Sequence, residues 1–219
     1  MIDWSWIADH VPALIYRTGQ HLYLTAIAVV LGLAISLAAG IVARRWRQLT
    51  LPFSAIAGLV YTIPSLALFA ALVPILGLGV PTALIPLVLY TLVILFRIVV
   101  AGFEAVPADV REAADAMSYR GARRLMRVEL PLAVPLILAG VRVATVSTIG
   151  LVTITAVLGD SLGGLGFFIF EGARKGFTTE ILAGVVPTVL LALLLDRLFV
   201  LLQAWLTPWE RRSPAVAGA

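Results

Sequence analysis

Residues 22–43 contain no charged side chain, and neither do residues 53–73. Three further stretches, 82–103, 132–158 and 181–206, are as long and almost as apolar, each interrupted by one or two charges. A helix of about 20 apolar residues crosses a bilayer. In lipid every backbone polar group must find a partner within the protein, which leaves helices as the spanning form for runs of this length. The chain is therefore expected to be all-α: a polytopic membrane protein with five transmembrane helices. Composition agrees, because 61% of the 219 residues are hydrophobic and 13% charged, where a soluble domain carries roughly 25% charged residues.

The rest of the chain arranges itself around these runs. Residues 1–21 read as an N-terminal interfacial segment, with Trp4, Trp6 and Tyr16 as amphipathic rings suited to the headgroup layer. They do not read as a signal peptide, because Asp3, Asp9, His10 and Arg17 leave no long apolar run. Residues 22–206 form the transmembrane domain, 76–81 a turn, 159–176 a glycine-rich connection and 207–219 a tail.

Five crossings put the two ends on opposite sides, and basic residues decide which side is inside. Arg44, Arg45 and Arg47 follow the first span, Arg111, Arg120, Arg123, Arg124 and Arg127 the third, and Arg211 and Arg212 the fifth. The other side holds only Arg17, Arg174 and Lys175. The N-terminus is thus expected outside, with the tail and the loop 107–131 in the cytoplasm. The net charge of +4 comes from these clusters, so it speaks of topology and contact with membrane lipid, with no nucleic acid as partner. With no cysteine and only two histidines, disulfides, thiol chemistry and a metal site are not expected.

The loop 107–131 is the most charged run. Asp109 followed by Glu112 is a capping-box pattern, which places a short helix from about residue 110 to 117. Residues 118–121, Ser-Tyr-Arg-Gly, read as a break. A second short helix then runs to Leu130, with Pro131 at the mouth of the next span. The expectation is a basic helix-turn-helix at the membrane surface.

Inside the spans, Arg97, Arg142, Asp196 and Arg197 share one layer, roughly 9–15 Å from the cytoplasmic ends of their helices at 1.5 Å per residue. Ionisable groups at that depth face a partner or a cavity. Asp196 is expected to pair with Arg142 or Arg97, either as an inner gate or as a static helix-orienting pair, while Arg197 snorkels. Thr145, Thr148 and Thr155 fall near one face of the fourth span, and Gly140, Ala144 and Thr148 make a small-residue track. That face is either a packed interface or a mildly polar wall for a solute path. In the second span Pro64 should kink the helix. Thr62, Ser65 and freed carbonyls then face a cavity, with Tyr61 offering its ring to a cation, or Tyr61 is an ordinary packed aromatic.

The loop resembles that of the permease subunits of ABC importers, whose pattern is E-A-A, three residues, G, nine residues, I-x-L-P. Here it reads Glu112-Ala113-Ala114, then Ser118 in place of the glycine, then Val128, Leu130 and Pro131. Further segments are similar to the glycine betaine/carnitine/choline branch: residues 62–68 (TIPSLAL), 128–133 (VELPLA), 163–166 (GGLG) and the last span. Two departures are Ile98, where that branch has Asn, and a glycine loop lengthened by residues 160–162. The resemblance implies a type I importer in the bacterial inner membrane. Two permease chains, identical or sister, form the pore, two cytoplasmic ATPase subunits sit below, and an external binding protein delivers the solute. ATP and Mg would be bound by the ATPase; this chain has no phosphate-binding GKS or GKT loop and no cofactor is expected in it. Asp109, Glu112, Ala113, Ala114, Ser118, Gly121, Leu130 and Pro131 would form the ATPase-coupling segment. Tyr61, Thr62, Pro64, Ser65, Arg97, Arg142, Thr145, Thr148 and Asp196 would line the translocation path. A permease for methionine, sulfonate or another small solute is the nearest alternative. A membrane-embedded enzyme is the alternative of another class, against which no catalytic cluster is visible.

Ser118 stands where a helix end needs a left-handed residue, which glycine adopts freely. Either Ser118 takes that conformation, or the helix runs on to Gly121. The unchanged spacing to Pro131 favours the first, under which Ser118→Gly is neutral or stabilising and Gly121→Ala mild.

Overall fold

The computed structural model describes residues 2–159 and 162–209; Asp160 and Ser161 of the lengthened loop, and Arg211 and Arg212 of the tail, lie outside them. Every regular element among the described residues is helical. The order is α1 (Trp4–Asp9), α2 (Val11–Arg45), α3 (Thr50–Thr62), α4 (Ser65–Leu76), α5 (Val80–Glu104), α6 (Ala108–Ala116), α7 (Ala122–Arg124), α8 (Leu130–Ile154), α9 (Gly166–Lys175) and α10 (Thr178–Leu206).

The direction of each helix follows from what it touches. Gly32 lies against Thr91 and Gly40 against Val99, so α2 and α5 run parallel. The chain between them must therefore cross back, and α3 followed by α4 makes that crossing. Gly140 lies against Ile98 and Gly102 against Ile137, so α8 is antiparallel to α5. Gly184 of α10 packs on Leu165 and Ile169 near the end of α8, and Asp196 reaches back to Arg142, so α10 returns alongside α8. The bundle is traversed five times. The start of α2, the 162–177 connection and α1 share one end; the end of α2, α6, α7 and the end of α10 share the other.

Three elements differ from the sequence expectation. First, α2 is 35 residues long and continuous through residue 21, so only α1 stands apart as an N-terminal segment. Asp3 caps α1, accepting from the Trp6 amide at 3.1 Å and the Ser5 hydroxyl at 2.6 Å. Second, the second crossing is a break, since α3 and α4 meet at 92°. A residue before proline is driven out of the helical region, and Ile63 is extended at φ −75°, ψ 125°. Third, α8 is not preceded by a separate helix. From Ala122 the chain is helical without interruption, through a π-helical turn at Leu125–Glu129. Proline lacks the N–H for a helical bond. The wider turn, closed by the Leu130 amide on the Leu125 carbonyl, carries the chain past Pro131 as one helix.

Two apolar clusters hold the bundle. Val29, Leu95, Val99, Phe103, Leu125, Ile137 and Val141 fill the half nearer α6. Leu24, Phe69, Leu87, Val152, Leu158 and Leu162 fill the other half. At the α5–α8 crossing a Cβ on Gly140 would stand 2.6 Å from Ile98 Cγ2, so close packing there needs glycine. Leu193, Leu194, Leu198 and Leu201 of α10 stay exposed.

Candidate functional site

The helix α6 projects from the bundle on a short hairpin, and its two faces differ. Asp109, Glu112, Ala113, Ala116 and Met117 are exposed. They recur at the three- and four-residue spacing of one helical stripe. Ala114, on the opposite face, is 1% exposed. Of the E-A-A triplet, Glu112 and Ala113 are thus available to a partner, whereas Ala114 packs inside its own chain. The expectation that Ala114 docks is corrected on that ground. Met117 is 64% exposed; a flexible thioether suits an adaptable contact, and the sequence pattern did not single it out.

The capping box does not form. The helix starts at Ala108 with Pro107 at its cap and no side-chain cap. Asp109 is therefore already inside the first turn, where its charge complements the helix dipole. The other end is a Schellman turn: the Tyr119 amide bonds the Ala114 carbonyl and the Ser118 amide the Asp115 carbonyl, both at 2.9 Å. Ser118 carries φ +64° in it. Gly121 has φ +55°, ψ −126°, a conformation essentially confined to glycine. The expectation that Gly121→Ala is mild is thereby corrected. Leu130 packs against the apolar cluster of the bundle and Pro131 lies in the first turn of α8, so neither belongs to the exposed stripe.

The hairpin is anchored by charges that sequence reasoning counted only as topology signals. Arg111 donates to the carbonyl oxygens of Phe103 at 3.3 Å and Val106 at 2.6 Å, satisfying acceptors left open in the last turn of α5 and just beyond it. Glu129, 2% exposed, receives Arg44 at 2.6 Å and Arg124 at 2.7 Å. Arg124 also meets Asp115 of α6 at 2.5 Å. The signal available in the sequence was a lone Glu beside an apolar helix start.

Within the spans, Arg142 grips Asp196 with two donors: Nη2 lies 2.9 Å from Oδ2, and Nε bonds Oδ1. Of the two partners left open for Asp196, the structure brings Arg142. Arg97 is exposed on α5 beside Gly58 of α3, with no ion pair among the described residues. The Arg142–Asp196 pair is half open. It borders a concavity of about 330 Å³ lined also by Ala139, Val143, Val146 and Ser147. Thr145 and Thr148 are buried instead, each bonded to the carbonyl four residues back at 2.7 Å. Thr148 also touches Thr91 at 3.2 Å. Their expected place on a path is corrected, because the small-residue face of α8 is closed by α2 and α5.

At the break, Tyr61, Thr62 and Pro64 are exposed and Ser65 is half-buried. Tyr61 is 63% exposed and edge-on to Tyr90, with ring centroids 6.3 Å apart. The Tyr90 hydroxyl donates to the Ile63 carbonyl, and Thr62 to the Leu59 carbonyl at 2.7 Å. The acceptor released by the break is thus met inside the chain. At the opposite end buried His21 joins α2, α8 and the glycine connection through Ile149 and Leu165.

Comparison with known proteins covers almost the whole chain. The model of the family described as binding-protein-dependent transport system inner membrane component matches residues 30–212. The glycine betaine/carnitine/choline transport system permease protein OpuCB of Bacillus subtilis (strain 168) is 33% identical over 195 residues, 89% of either chain. The osmoprotectant import permease protein OsmW of Salmonella typhimurium (strain LT2) is 36% identical over 208 residues, covering 93% of this chain and 96% of its own. A chain of the inward-facing MetNI methionine ABC transporter superposes with TM-score 0.79 at 21% identity, over 91% of this chain and 98% of that one.

Proposed function

The chain belongs to the binding-protein-dependent transport system inner membrane component family, as a permease subunit of an ABC importer, and from that premise we propose that its solute is a quaternary-ammonium osmoprotectant: glycine betaine, carnitine or choline. It is a multi-pass membrane protein and a transport subunit, not an enzyme. The observation that carries the solute is the 33–36% identity to osmoprotectant permeases over about nine-tenths of the chain. The likeness to the methionine transporter, at 21% identity, speaks for the fold alone.

The parts then take roles. The end bearing Arg44, Arg45, Arg111 and the hairpin arginines is cytoplasmic, by the excess of positive charge, and the N-terminus is outside. The exposed stripe of Glu112, Ala113, Ala116 and Met117 meets a cytoplasmic ATPase, which holds ATP and Mg. A second permease chain covers the half-open Arg142–Asp196 face, since a charged pair turned to lipid is costly. The path runs along that face and past Tyr61 and Arg97, and an external binding protein loads it from the end near α1. Closure of the ATPases below tilts the helices above, as alternating access requires.

The test is a solute panel. The permease is reconstituted with its ATPase and binding protein in vesicles, and ATP-driven uptake of radiolabelled solutes is measured. Glycine betaine, carnitine or choline should accumulate and compete with one another, and methionine should not. Accumulation of methionine without any quaternary amine would reject the assignment.

A further inference from the structure

The Glu129 carboxylate is the one place among the described residues where three cytoplasmic elements share a charge network. Its Oε2 takes Arg44 from the last turn of α2, its Oε1 takes Arg124 from α7, and Arg124 holds Asp115 of α6. Glu129 itself is the last residue of the π-helical turn that leads straight into α8. Both oxygens are occupied and the side chain is shut away from solvent, while each arginine keeps about a quarter of its surface exposed. The network borders a cleft of about 560 Å³ between α2 and the hairpin, lined also by Arg45, Arg111 and Gly121.

The π-helical turn explains how Glu129 comes to face inward. It inserts one extra residue into the register, which turns the following side chain by about 100° around the axis. Leu125 at the start of the turn is in the apolar core, and Glu129 at its end is buried against Arg44. Such turns recur where a helix must re-aim a side chain at a working site.

Hydrophobic contacts slide, whereas parting a buried carboxylate from its arginines leaves an uncompensated buried charge, which is strongly unfavourable. We propose that Glu129 is the positioning residue of coupling: it locks α6 to the cytoplasmic ends of α2 and α8, so that a push on the exposed stripe of α6 moves both spanning helices as one body. The inference rests on the reading that α6 is the element the ATPase contacts.

The test uses the complete transporter in vesicles, with ATP hydrolysis and glycine betaine uptake read together. Glu129→Gln keeps the shape and removes the charge. The ATPase should still co-purify and hydrolyse ATP, while solute imported per ATP falls by about tenfold, within the usual span of a coupling energy. Glu129→Asp should recover part of that ratio. An unchanged ratio in Glu129→Gln overturns the proposal. A second measurement needs no variant of Glu129. The chain has no cysteine, so spin labels at Trp46 and Arg120, both exposed, report the distance between α2 and the hairpin. That distance should stay within about 1 Å between nucleotide-free and vanadate-trapped states, less than the usual helix shift. A change of several ångströms overturns the clamp. Failure of the docking reading shows separately, as an ATPase that stays bound and coupled when Ala113→Trp blocks the stripe.

Discussion

His21 and Leu165, 144 residues apart in sequence, are joined by a hydrogen bond from the Leu165 amide to His21 Nδ1 at 3.3 Å. Because Nδ1 accepts, Nε2 carries the proton and donates to the Ile149 carbonyl at 3.0 Å. The neutral ring thus fastens the glycine connection to α2 and α8. His21→Leu leaves the buried Leu165 amide without its acceptor, at a cost of about 1–3 kcal/mol, and removes the extra donor on the Ile149 carbonyl, which keeps its helical bond. Thermal unfolding in detergent should show a lowered midpoint, and an unchanged midpoint would mean that the latch contributes nothing.

The hairpin offers a sharper pair. Ser118 holds a left-handed conformation at φ +64°, which costs a side-chain-bearing residue about 1–2 kcal/mol. Ser118→Gly should therefore stabilise the hairpin against proteolysis between α6 and α8. Gly121→Ala should do the reverse, since φ +55°, ψ −126° admits no Cβ without strain. Equal digestion rates for both variants would contradict the assigned geometry.

How much of this was legible follows from which interactions are local. The spans were readable because lipid demands long apolar runs, and the break at residues 118–121 because helix ends leave turn residues. The 92° bend was read only as a kink, although Pro64 marks its place. What that proline does to Ile63 depends on how α4 packs on α5. The fate of Ala113 and Ala114 was hidden as well. Adjacent small residues point in directions about 100° apart on a helix, and only the position of the bundle tells which one is covered. Glu129 was invisible as an anchor because its partners come from α2 and α7, and the π turn that aims it leaves no spacing signature.

The Arg142–Asp196 pair makes a prediction about assembly. Asp196→Asn strands a guanidinium on the face assigned to the second chain, so the yield of inserted dimer should fall. Adding Arg142→Gln should restore much of it, whereas adding Arg97→Gln should not, because Arg97 stands apart beside Gly58. Yield on cross-linked gels decides the matter, and rescue by Arg97→Gln would show that the pairing differs in the membrane.

Ala114 and Ala113 separate folding from docking. Ala114→Trp forces an indole into a site 1% exposed. Overpacking of this kind costs about 1–3 kcal/mol, so the hairpin should loosen and become protease-sensitive even without the ATPase. Ala113→Trp should leave digestion unchanged. Similar digestion of the two would place both side chains on the same face.

The central claim is that a cytoplasmic ATPase drives this permease through the exposed stripe of α6. Its most direct test is ATP-driven glycine betaine accumulation in vesicles holding permease, ATPase and binding protein, with Ala113→Trp beside the unaltered chain. The account predicts accumulation with the unaltered chain and its loss in Ala113→Trp, with insertion and protease resistance preserved. Equal accumulation by the two would contradict it.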